Sequence, residues 1–157
     1  MPDQTRGQYL ISTDPARINL DAVHAMLSRA YWCLGIPKPT VARALANSIP
    51  FGIYDTSKTP HAQVGIARII TDKATFAYLC DVFIEESHRG HGLSKWLVEV
   101  IIAHPDLQGL RRICLLTRDA QGLYDRYNFG PLAPTTTYME RVIRDVYKQG
   151  AAAGKPQ

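Results

Sequence analysis

No stretch of the 157 residues stays apolar for the roughly twenty positions that a membrane-crossing helix needs. No membrane partner is therefore expected. The opening residues MPDQTRGQYL lack a basic segment followed by an apolar one, so no secretory leader is expected either. Cysteine is scarce: Cys33, Cys80 and Cys114 form an odd, widely spaced set without metal-ligand spacing. They suggest no disulfide framework and no metal site, and they suit a reducing, cytoplasmic setting. A concentrated basic stripe is missing too. Lys and Arg outnumber Asp and Glu by 18 to 14, but they are scattered, with Arg111–Arg112 as the closest cluster. That argues against a nucleic-acid partner, and the surplus suits weak attraction of anionic small molecules.

What is present is an ordinary globular composition, 46% hydrophobic and 20% charged, in a chain long enough for one real core. We expect a single domain over residues 1–148. The small and polar residues at the end suggest a flexible tail over 149–157. A first strand fits residues 8–12. A helix over 19–30 starts at an Asn19 cap, with Leu20, Val23 and Leu27 at helical spacing. Gly35, Pro37 and Pro39 break that pattern, and a short helix capped by Thr40 follows over 40–49. Strands are expected over 50–55, 62–71 and 75–84, the last two as an antiparallel hairpin. Next comes an amphipathic helix with Leu93, Trp96, Leu97, Val100 and Ile101 on one face. A strand over 112–116, a short helix over 120–129 ending at Asn128, and a final strand over 135–143 complete the order. This order predicts a mixed α/β (α+β) sheet with helices on both faces.

The stretch EESHRGHGLSKWLVEVII, residues 85–102, places Gly90 and Gly92 directly against the best helix of the chain. Glycine there allows close backbone approach, and the helix N-terminus favours an anion, so a phosphate-bearing ligand is the candidate. A dinucleotide-binding loop would need glycine where Lys95 stands, and a Walker loop needs four residues between its glycines. Neither pattern fits.

Together with LTRDAQGLYDRYNFGPL downstream, this stretch resembles the GCN5-related N-acetyltransferase (GNAT) superfamily over roughly residues 50–130. The first element is similar to its acetyl-coenzyme A motif Q/R-x-x-G-x-G/A, with Ser87 at the Gln/Arg position. The second is similar to its A-x-x-x-Y-x-x-x-G-F helix, with Asn128 in place of the glycine. The resemblance implies a mixed, mostly antiparallel, twisted sheet of about six to seven strands flanked by about four helices. It also implies acetyl-coenzyme A as co-substrate and an amine acceptor, either a small molecule or an exposed protein amine, attacked directly in a ternary complex.

By that resemblance the cofactor would meet Arg89, Gly90, His91, Gly92, Leu93 and Ser94 at its phosphates. Val82, Phe83 and Ile84 would meet its pantetheine arm through main-chain groups, with Thr117, Tyr124 and Tyr127 nearby. His91 could equally be exposed beside the cofactor, and Arg89 could pair with Glu85 or Glu86. Tyr124 matches the tyrosine that protonates the departing coenzyme A thiolate in this superfamily; otherwise it is a packed aromatic. The strand position that often carries a basic glutamate is near Phe76, which cannot take a proton. Asp81 is the sole carboxylate in TFAYLCDVFI. Three readings stand: Asp81 as catalytic base, Asp81 as sheet-ordering partner of Arg68, or a water chain to solvent. Tyr31, Trp32, Phe76 and Tyr78 are candidates for an aromatic acceptor wall, together with Tyr138. A non-catalytic acyl-coenzyme A sensor is the alternative to an enzyme. Open sheet edges make a homodimer a further expectation.

Overall fold

The computed structural model describes residues 1–143 and 146–147. Its elements run β1 (Gln4–Arg6), β2 (Tyr9–Ser12), α1 (Leu20–Leu27), α2 (Lys38–Ala46), β3 (Ile49–Asp55), β4 (Ala62–Thr71), β5 (Phe76–Ile84), α3 (Leu93–Ile102), β6 (Arg112–Leu115) and α4 (Gln121–Tyr124). The six strands lie in one sheet in chain order. All neighbours are antiparallel except β5 and β6, which α3 connects as a parallel pair.

Both faces of the sheet are covered. On one, α3 buries Trp96, Leu97 and Ile101 against Ile11, Phe51, Ile53, Ile69 and Leu79. On the other, Val23, Met26 and Leu27 of α1 and Val41 of α2 pack on Ile66. The cap at Asn19 forms as its sequence suggests, with Oδ1 accepting from the Ala22 amide at 3.1 Å. That helix stops at Leu27, short of residue 30. The second helix starts at Lys38, before the expected Thr40 cap, because Pro39 sits in the first turn where a missing N–H costs nothing.

Two strand expectations are corrected. β1 was absent from the pattern reading because Gln-Thr-Arg has no apolar alternation; Gly7, at φ 57°, folds it back onto β2. The final strand over 135–143 does not form. A 3-10 turn covers Thr135–Thr137, and the residues after it join no strand, because strand-like sequence needs a neighbour to bond. The tail over 149–157 lies outside the described residues. The helix expected over 120–129 is shorter as well, one α-turn followed by a 3-10 turn over Asp125–Tyr127. Asn128 ends it in the left-handed conformation, φ 62°.

One irregularity positions everything that follows. Arg68 pairs with Cys80 and Ile66 with Phe83, so Asp81 and Val82 bulge out opposite Ala67. Asp81 takes φ 55°, unusual for a residue other than glycine. Such a bulge bends its strand. The pairing of β5 with β6 ends at Leu79 and Leu115, and beyond that point the two strands part.

Candidate active site

The loop into α3 is built from backbone geometry. Gly90 and Gly92 hold φ of 83° and 73°, and a Cβ at either would meet nothing within 4 Å. Glycine is required there by the backbone angle and not by crowding. Gly92 caps α3 without a side-chain bond, and its carbonyl takes the first helical bond, from the Trp96 amide at 3.1 Å. The amides of Leu93, Ser94 and Lys95 therefore have no helical acceptor and face outward at the positive end of the helix dipole. Arg89 is partly committed to the chain. Its Nε donates to the Ile84 carbonyl at 3.1 Å, and Nη1 lies 3.7 Å from Glu86. Glu85 is taken by Arg29 at 2.7 Å. His91 is exposed, with Nδ1 3.2 Å from the His88 carbonyl and its ring against Tyr9.

Where β5 and β6 part, a cavity of about 470 Å³ opens. Val82, Thr117, Tyr124, Asp81, Tyr31, Trp32 and Tyr78 all line it. Residues from four separate stretches of sequence thus meet at one place. Phe83 instead faces α1, beneath the guanidinium groups of Arg29 and Arg89. Ile84 is buried in the α3-side core. Phe76 stands at the hairpin end of β5 outside the cavity lining, its amide bonded to Asp72. Tyr127 is held away from the cavity, its hydroxyl donating to the Lys95 carbonyl at 3.0 Å and to Glu99 at 3.1 Å.

Tyr124 is only 6% exposed, and burial pushes its phenol up to about 12. Its ring packs edge-on against Phe129. Among the described residues its hydroxyl has no hydrogen-bond partner, and the residue lines the cavity. Asp81 is differently placed. Arg68 Nε donates to Oδ2 at 2.6 Å and Trp32 Nε1 to Oδ1 at 3.1 Å. Both side chains of the ion pair are 12% exposed. A cation and an indole N–H thus occupy one carboxylate oxygen each. The ion pair ties the bulge of β5 to β4, the Arg68 contact being one of the readings the sequence left open.

A contact that sequence reasoning missed ties Tyr31 of the cavity wall to the stretch after β6. The Arg118 guanidinium lies 3.7 Å over the Tyr31 ring, and its amide donates to the Tyr31 hydroxyl at 3.3 Å. Tyr147 and Asp119 also line the cavity unforeseen; neither stands in a recognisable pattern. Thr117 accepts from the Ala120 amide at 3.0 Å and so shapes the turn leading to Tyr124. Among the described residues no group of three or more His, Cys, Asp or Glu is placed to hold a metal ion, and no helix is long and apolar enough to cross a membrane.

Comparison with known proteins bears on this geometry. The pattern of the Acetyltransferase (GNAT) domain matches residues 51–131. A candidate acetyltransferase of Gibberella zeae is 39% identical over 141 residues, 78% of each chain. The crystal structure of a candidate GNAT-family acetyltransferase from Xanthomonas campestris pv. campestris is 43% identical, with a TM-score of 0.84 over 91% of this chain and 99% of that one. A GNAT-family acetyltransferase from Elizabethkingia anophelis with acetyl-CoA bound shares the fold at a TM-score of 0.58 and 13% identity, over 78% of this chain and 76% of that one.

Proposed function

The chain belongs to the GNAT acetyltransferase family, and on that premise we propose that it moves an acetyl group from acetyl-coenzyme A to an amine within a ternary complex. The observation that carries this reading is Tyr124, a buried phenol held in its protonated form on the wall of the cavity between the parted strands. Acetyl-coenzyme A supplies a thioester already activated for attack.

The residues present fit such a co-substrate. The outward amides of Leu93, Ser94 and Lys95, freed by the two left-handed glycines, suit a pyrophosphate. The main chain of β5 at and beyond Val82 has no β6 partner and is available to an extended amide-bearing arm. Arg89, His91, Thr117 and the β5 residues Phe83 and Ile84 flank this path. Tyr127 enters it only through α3, whose Lys95 carbonyl it holds.

Tyr124 donates its proton to the departing sulfur. The proton that the attacking nitrogen sheds on becoming an amide returns through water to the phenolate, so the step closes with an amide, a free thiol and a neutral phenol. Arg68 and Trp32 hold Asp81, and Asp81 holds the bulge that opens the cavity. Asp81 is assigned this positioning part. The acceptor amine exchanges its proton with water at the cavity mouth and attacks as the free base. Tyr31, Trp32 and Tyr78 supply aromatic surface for it. Thiol release from acetyl-coenzyme A across a panel of amines tests the reading. Tight cofactor binding without amine-dependent thiol from any acceptor would replace it with the sensor alternative.

A further inference from the structure

The open side of the cavity is more apolar than acetyl transfer by itself requires. Tyr31, Trp32, Ile70 and Leu116 all line it, yet they are 46%, 43%, 46% and 68% exposed. They come from the α1–α2 connection, from β4 and from the residue after β6. Four large apolar side chains left to water around one opening mark a binding surface. Ile36 and Leu79 continue the lining into the buried interior. Cys33 and Cys80 line it as well, and burial pushes both thiols up to about 12, so they stay neutral.

Charge in the lining is equally one-sided. Among the described residues Arg68 is the one cation there, against the two carboxylates Asp81 and Asp119. Arg68 Nε donates to Asp81 at 2.6 Å, and Nη1 donates to the Ala44 carbonyl and to Ser48 Oγ, both at 3.3 Å. That cation is matched by a carboxylate and tied to the end of α2. Asp119 is the carboxylate left over, in the turn before α4, with its side chain 63% exposed. Its ion-pair partner among the described residues is Arg118 at 3.6 Å, beyond hydrogen-bond distance, and that guanidinium stacks on Tyr31. A ligand with a carboxylate or phosphate of its own would find no uncommitted cation in this lining. An ammonium on an apolar body would meet both features.

We propose that the acceptor is an arylalkylamine: a primary amine on a short chain that ends in an aromatic ring and carries no negative charge. This rests on the acetyl-transfer reading and adds the substrate class to it. Asp119 and Tyr124 belong to the same stretch after β6, whereas Trp32, Ile70 and Tyr78 belong to the α1–α2 connection, β4 and β5. The amine end therefore faces the first group and the ring the second. Asp119 draws the ammonium form to the opening, and the nitrogen attacks after losing a proton to water. The N–C bond forms as the C–S bond of the thioester breaks, leaving an amide and a free thiol. The amide is neutral, so Asp119 no longer holds it.

Four probe amines separate these features. Phenethylamine carries only the ring and the amine, phenylalanine adds a carboxylate, ethanolamine lacks the ring, and Nα-acetyl-lysine amide offers an aliphatic stem. Calorimetry on the full chain loaded with coenzyme A, which has no acetyl group to give, reads binding alone. Phenethylamine is expected to bind about 30-fold more tightly than ethanolamine, through burial of the ring. It is expected to bind on the order of 100-fold more tightly than phenylalanine, whose carboxylate would go unpaired. Thiol release from acetyl-coenzyme A should rank the amines in the same order by kcat/KM. Asp119→Lys is expected to lower the phenethylamine-to-phenylalanine ratio about tenfold, with Asp119→Asn in between, and a ratio cancels any general loss of fold or activity. Equal binding of the three small amines, a preference for phenylalanine or for the lysine amide, or an unmoved ratio in Asp119→Lys would each overturn the proposal. Ranked binding without thiol release would keep the ligand class and remove the acetyl transfer; thiol release without ranking would do the reverse.

Discussion

Removing a single oxygen, Tyr124→Phe, isolates the proton that the proposed mechanism spends on the leaving thiolate. The substitution leaves packing intact, because the ring sits edge-on against Phe129 and the lost hydroxyl has no partner among the described residues. Folding stability is therefore expected to change by less than about 0.5 kcal/mol. The catalytic loss follows from the acid–base mismatch. A thiol of pKa ~8.5 leaving at pH 7 as the thiolate lies about 1.5 units above the pH, near 2 kcal/mol, or roughly a 30-fold slower step. General acids ordinarily contribute on the order of 10²–10⁴-fold, so ~30-fold is the floor. Single-turnover thiol release at saturating amine reads the chemical step without product release. The affinity for coenzyme A should stay within twofold of wild type, on the order of the usual spread for a neutral change. Burial holds the phenol up at about 12, so it keeps its proton across the accessible range and contributes no falling limb to the rate profile. The rate should instead climb with pH as the acceptor loses its proton, toward an amine pKa of ~10.4 for a lysine-like acceptor. Unchanged single-turnover kinetics in Tyr124→Phe, or a falling limb near neutral pH that vanishes in it, would refute the assignment.

Three further outcomes follow from particular contacts. Gly92→Asp should weaken coenzyme A binding about 30-fold relative to Gly92→Asn, near 2 kcal/mol for a carboxylate set beside the pyrophosphate. Both residues tolerate the positive φ, so calorimetry on the two variants reads charge alone, and equal affinities would place the phosphates elsewhere. Asp81→Asn leaves the Arg68 guanidinium, 12% exposed, without its counter-charge, and should cost about 3–5 kcal/mol of unfolding free energy. Urea unfolding checks it: a stable fold with lost turnover would return Asp81 to the role of base. His104 is 5% exposed and its imidazole is pulled down chiefly by burial. Its Nδ1 accepts from the Asp106 amide at 3.2 Å, which fits the neutral ring. The folded state thus binds this proton more weakly than the unfolded state, so stability is full above ~6.5 and declines as pH falls below it toward the depressed folded value. Unfolding free energies at pH 7.5 and 5.5 should differ by less in His104→Gln than in wild type; an identical drop in both would remove the histidine from the account.

The amphipathic helix was legible because its period is local: Leu93, Trp96, Leu97, Val100 and Ile101 are all buried as spaced. The β4–β5 hairpin and the glycine loop were equally open to reading, since turn chemistry and left-handed backbone depend on residues a few positions apart. β1 and the final strand were misread for one shared reason. A strand exists by virtue of its neighbour, and Gln4–Arg6 found one while residues 138–143 did not find one within their own chain.

From the sequence alone came the family, the mixed sheet, the anion-seeking helix mouth and the phenol at residue 124, all of them carried by short-range pattern. The tertiary structure alone decided that Asp81 is held by Arg68 and Trp32, that Tyr127 faces α3 and Phe76 lies outside the cavity, and that Arg118 stacks on Tyr31. Those outcomes depend on which distant donors reach a side chain once β5 bulges, and the bulge lies where Arg68 and Asp81, 13 positions apart in sequence, are joined by a hydrogen bond in space.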